Sequence, residues 1–205
     1  MKRTATVLLG FSSLICLLLA AGCDDSKNPL SDPVKSTPDK QLIGVWRHQE
    51  DGSTTYYLVG SLGGKSPESV MRVVVVTHEK SGELHEPEQA SLFPTVIDGT
   101  SYLNLAVAKQ EQLAKIQENG WQPDLLDAYF ILKYRAEDDV LLAWPMDNDA
   151  KKKAVETGKI KGAPKKFNGG KVMKFTDTTQ NLAQFVAAAK DELFAKEPLR
   201  FERVR

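Results

Sequence analysis

The chain has 205 residues, 27 basic against 27 acidic side chains and 41% hydrophobic residues, enough for one domain with a real core. Its two cysteines, Cys16 and Cys23, both lie near the amino terminus. The rest of the chain therefore has no disulfide framework, cysteine nucleophile or thiolate metal site, and its stability must come from burial.

Residues 1–22 read as an export signal. Lys2 and Arg3 open it, and an apolar run follows over 5–21, interrupted by Thr6, Gly10, Ser12 and Ser13. That run falls short of the roughly 20 apolar residues a spanning helix needs. It ends Leu19-Ala20-Ala21-Gly22-Cys23, which resembles the bacterial lipobox, with Ala20 where leucine is commonest. The resemblance implies cleavage before Cys23, a diacylglyceryl group on its thiol, and a mature protein held to a membrane by acyl chains, facing the periplasm. Two or more chains anchor stably where one does not. An ordinary membrane anchor, or a cleaved signal with a chance cysteine, is the alternative. Asp24 and Asp25 resemble an inner-membrane retention signal, which favours that membrane over the outer one; they could equally begin a solvated tether.

Residues 23–40 read as a lipidated flexible tether, with Pro29, Pro33 and Pro38 among Ser, Asp and Lys. Such a coil spans roughly 25 Å, or about 55 Å stretched. A β-rich domain then fills 41–205. Strands are expected over 42–48, 54–60, 70–79, 84–97, 101–107, 128–135, 140–146, 172–175 and 199–204. Asp51-Gly52, Gly63-Gly64, Ser81-Gly82, Asp98-Gly99, Glu137-Asp138-Asp139 and Gly169-Gly170 supply turns between them. Helices are expected over 109–119, stopped by Gly120, and over 150–157, stopped by Gly158. A third opens on Asp177-Thr178-Thr179-Gln180, which reads as a capping box, and sets Leu182, Phe185, Val186, Ala189 and Leu193 on one face.

Charge is unevenly spread. Residues 151–174 hold nine lysines against Glu156, a net of +8, whereas 24–150 carry a net of −10. A basic segment on an anchored protein could meet anionic headgroups or an acidic partner, at about 1 kcal/mol per residue. A solvated loop and short helix is the blander account.

Leu42-Ile43-Gly44-Val45-Trp46 places a Gly-x-Trp at the first strand, and Leu199-Arg200-Phe201-Glu202-Arg203-Val204 ends the chain behind the third helix. This arrangement is similar to that of lipocalins. The resemblance implies that Trp46 packs beneath a barrel against an arginine of the last strand, Arg200 or Arg203. The fold class expected is thus mainly β with accessory helices: a lipocalin-like, calycin-type antiparallel β-barrel with an amphipathic helix before its last strand. The chain as a whole resembles lipocalin-like lipoproteins of Gram-negative bacteria. The residues alone leave a β-sandwich or an open sheet backed by helices as alternatives.

Motifs for chemistry are sparse. A two-residue turn at Ser81-Gly82 would face Lys80 with Glu83 and set His78 opposite His85. Two imidazoles there could hold zinc or copper, given a third ligand from Glu86 or Glu88; an exposed polar hairpin tip is the simpler account, and no metal is expected. Gly-x-Ser-x-Gly, His-Glu-x-x-His and a phosphate-cradling loop do not occur. The expectation is a non-enzyme with no cofactor beyond the lipid on Cys23 and no nucleic-acid partner. It would bind a small apolar or amphipathic ligand; the alternative is an interaction protein docking another envelope component through its lysines. A cavity of roughly 300 Å³ or more would favour the ligand, and a solid barrel would count against it.

Overall fold

The computed structural model describes residues 25–126, 128–167 and 170–205. The leader and Cys23, on which the lipobox reading rests, lie outside the described residues. Eight strands form an antiparallel meander: β1 (Gly44–Glu50), β2 (Ser53–Ser61), β3 (Met71–His78), β4 (Glu88–Ile97), β5 (Thr100–Val107), β6 (Phe130–Glu137), β7 (Val140–Pro145) and β10 (Leu199–Val204). Pairing of β10 with β1 closes it into a barrel. Helix α1 (Gln110–Asn119) lies between β5 and β6. The β7–β10 connection holds α2 (Asn148–Glu156), a two-stranded hairpin of β8 (Gly162–Phe167) and β9 (Gly170–Phe175), and α3 (Thr179–Ala189).

Alternation makes the wall. Met71, Val73, Val75 and Thr77 of β3 are buried, with the residues between them only partly so. Tight turns fix the register. Asp51-Gly52 and Asp98-Gly99 have φ of 50°, 85°, 49° and 76°, the pairs of positive values that two-residue hairpins matching sheet twist require. Asp138, with φ 49°, turns β6 into β7. Helix α3 opens one residue later than its capping-box pattern suggested: Thr178 is the N-cap and accepts from the Asn181 amide.

Three apolar clusters result. One fills the barrel interior, one lies under α1, and one joins Tyr102 and Ile131 of the outer wall to Ala154 of α2, Leu182 and Val186 of α3, and Phe175. No helix among the described residues is long and apolar enough to cross a membrane.

Two parts differ from expectation. First, residues 162–167, where Pro164, Lys165 and Lys166 hide any apolar alternation and a lysine-rich loop is expected, form strand β8; it pairs only with β9, so Pro164 interrupts no central ladder. Second, residues 25–40 are not a free tether. β7 ends opposite Leu132, and Ser26 takes the edge of β6 beyond it, exchanging two backbone hydrogen bonds with Tyr129 at 2.9 and 3.0 Å. Leu30 is 2% exposed, its amide donating to Asn104 Oδ1 at 2.7 Å. Short 3-10 turns at Pro33–Lys35 and Lys40–Leu42 carry the chain beneath the barrel, where Leu42 joins the interior cluster. A few well-placed apolar residues and strand-edge partners outweigh a polar, proline-rich composition.

Candidate functional site

The barrel floor is built around Trp46, 1% exposed, whose indole Nε1 donates to the Leu42 carbonyl at 2.8 Å. The Arg203 guanidinium lies 4.2 Å from the indole centroid and donates to the carbonyls of Ile43 (2.8 Å) and Gln41. Gly44 explains the Gly-x-Trp spacing: a Cβ there would stand 2.5 Å from Arg203 Nη1, and its φ of +142° is unfavourable for other residues. Of the two arginines expected against Trp46, Arg200 is not there. Strand alternation turns its side chain outward, 3.7 Å from Glu202, while its carbonyl accepts from His48 Nδ1 at 2.8 Å. Tyr134 inserts beside this floor and donates to Asp39 at 2.8 Å; burial and that carboxylate push its phenol well above the usual range.

Above the floor the interior is nearly solid. The remaining cavity is about 70 Å³, lined by residues including Trp46, Tyr57, Val73, Leu105, Phe130 and Phe201. Phe201 meets Tyr57 edge-on at 5.3 Å and His48 at 5.2 Å, which fills the centre with rings. At the opposite end, where the β7–β10 connection leaves and returns, Val172 of the hairpin packs on the interior cluster. Such a volume is room for a few waters rather than for a lipid-sized molecule.

The interior turns polar near Thr55 and Thr77, which lie within 3.2 Å of each other. Glu88, opposite Val75 on β4, belongs to the same end; burial pushes its carboxyl above the usual range, partly offset by His85. A raised carboxyl favours the protonated fold, so stability is full below the ordinary value of 4.5 and falls as pH rises through the folded value. Glu88→Gln is therefore expected to raise Tm near neutral pH and to melt with the parent in acid. A gap independent of pH would remove burial as its cause.

A much larger concavity lies outside the barrel. A groove of about 870 Å³ runs between α2 and α3. Ala150, Ala154, Ile160, Phe185, Ala189 and Leu193 supply its apolar lining, and Lys153, Lys159 and Glu192 are among its charged residues. Small side chains on the facing helices keep it open, while Phe185 is held edge-on against Phe175 at 5.6 Å. At one end Asp177 accepts from Asn181 Nδ2 (2.7 Å), the Thr178 amide (2.9 Å) and the Lys161 amide (3.2 Å). These bonds, Asn181 first, hold its carboxyl below the usual range. Sequence reading missed this groove: its signal was the alanine content of two helices, which marks packing as readily as a site.

The histidine pair is not formed. His78 pairs with Leu84, and the His85 amide donates to the Thr77 carbonyl at 3.0 Å, one residue off the expected register. The turn is longer than two residues, closed by Gly82 to Glu79 and Glu79 to Glu83 backbone bonds. A one-residue slip sends the two imidazoles to opposite faces. His85 instead lies 3.4 Å from Glu79, and no group of three His, Cys, Asp or Glu is arranged to hold a metal among the described residues.

These features define a closed eight-stranded antiparallel barrel, compatible with a lipocalin-like fold, with a helical groove on its outer wall. No protein-family model, curated protein or solved structure matches the chain.

Proposed function

We propose that this is a non-enzymatic binding module of the bacterial envelope, lipid-anchored through Cys23 at the periplasmic face and favouring the inner membrane. Its ligand is a small amphipathic molecule seated in the α2–α3 groove rather than in the barrel. The contrast in volume carries this reading: about 870 Å³ in the groove against about 70 Å³ inside. Ligand sites occupy roughly 300 to 1,000 Å³, and an apolar lining with a few charged groups suits an apolar body with a polar end. Phe185 and Ile160 would take that body, and Lys153 and Lys159 would take an anionic end.

Native mass spectrometry of the full chain purified from its host tests the reading. A lipid-sized adduct is expected. Ala188→Trp, on an exposed part of the groove wall, should lower its occupancy about tenfold without moving the melt. Unchanged occupancy in that variant would take the ligand out of the groove.

A further inference from the structure

We infer that the β8–β9 hairpin is a headgroup-binding surface that docks the domain on an anionic bilayer in one orientation. The inference rests on the anchor proposed for Cys23, and it follows from where the amino-terminal segment enters the fold. The Phe175 amide donates to the Asp25 carbonyl and the Lys27 amide to the Phe175 carbonyl, both at 2.8 Å, a parallel pairing centred on Ser26. Because the pairing is parallel, the backbone at Asp25 leads upstream along β9 from Phe175 towards Lys174 and Lys171. Cys23 is two residues further, at most about 7 Å of chain. The Phe175 end of the hairpin is therefore held within about a Debye length of the headgroup plane, with β9 running from there to Lys171 over about 13 Å.

The charge on that element suits the surface it would meet. Lys166 and Lys171 are exposed on one face of the hairpin and Lys161 is exposed just before β8, while Lys165 and Lys174 lie on the other face with Val172, only partly exposed. Lys166 stands directly opposite Lys171, a like-charge cross-strand pair that is unfavourable by itself and relieved by an anionic phosphate between the two ammonium groups. Residues 24–150, by contrast, carry a net of −10, so an anionic membrane repels the rest of the barrel while it attracts the hairpin. Anchor position, local charge and opposing charge together select one face.

The test uses the full chain from its host, with intact mass reporting acylation of Cys23. It is placed in nanodiscs of phosphatidylcholine alone or mixed with phosphatidylglycerol, and lysine acetylation is followed by peptide mapping. Lys161, Lys166 and Lys171 are expected to react about threefold more slowly in the anionic discs, reversibly with salt, while Lys80 and Lys115 do not change. Equal rates in both lipids would overturn the proposal, as would protection that requires another envelope protein instead of phosphatidylglycerol. A chain without acyl mass defeats the anchor reading separately. That chain is then sedimented with phosphatidylglycerol vesicles: salt-reversible binding lost in Lys166→Glu/Lys171→Glu sustains the surface, and no binding overturns it.

Discussion

Trp46→Ala is expected to cost about 3–5 kcal/mol of folding stability, read as a lower urea midpoint with an unchanged slope. The indole closes the barrel between Leu42 below and the interior rings above, and it is 1% exposed. Removing it opens a cavity, leaves the Leu42 carbonyl without its donor, and uncovers the face on which the Arg203 guanidinium lies. Arg203 remains bound to the Ile43 and Gln41 carbonyls, so the floor loosens without falling apart. Gly44→Ala attacks the same contact from below, since its Cβ would displace Arg203 Nη1. Arg200→Ala is the control: its side chain is 58% exposed and should change stability by less than about 0.5 kcal/mol. Equal losses in Arg200→Ala and Trp46→Ala would mean that the floor is not the closing element.

What could be read from the sequence was local. Asp51-Gly52 and Asp98-Gly99 announce their turns because few residues other than glycine and aspartate tolerate positive φ. The strands of the meander announce themselves by alternation, and Trp46 together with the terminal arginines suggested how a barrel would close. The choice between Arg200 and Arg203 needed the parity of β10, which follows from its register with β1. Long-range partnerships were invisible. The edge of β6 left open by β7, which receives Ser26, lies about half the chain away in sequence, and nothing in residues 25–40 names it. The histidine register failed over a single residue of turn length. The groove depends on how α2 and α3 diverge, which helix periodicity does not encode.

Asp25→Ala is expected to cost about 3–5 kcal/mol, a loss that no free tether would show. Asp25 Oδ1 lies 2.5 Å from Lys151 Nζ and Oδ2 accepts from the Ile131 amide at 2.9 Å, the two side chains being 2% (Lys151) and 8% (Asp25) exposed. Deleting the carboxylate strands the α2 ammonium in an apolar wall and frees a β6 amide. The double variant Asp25→Ala/Lys151→Met removes both charges, so it should be more stable than the Asp25→Ala single; a coupling near zero would show that the pair does not act as one unit. Hydrogen exchange supplies the local readout. The amides of Tyr129 and Phe175 bond to Ser26 and Asp25 and should exchange faster in Asp25→Ala, while the Leu141 amide on the β10 side of the barrel should not. The same lesion bears on orientation. Once residues 25–31 detach they become the flexible tether their composition suggests, the hairpin is no longer held beside the anchor, and the lipid-dependent protection of Lys166 and Lys171 should fall with the ion pair.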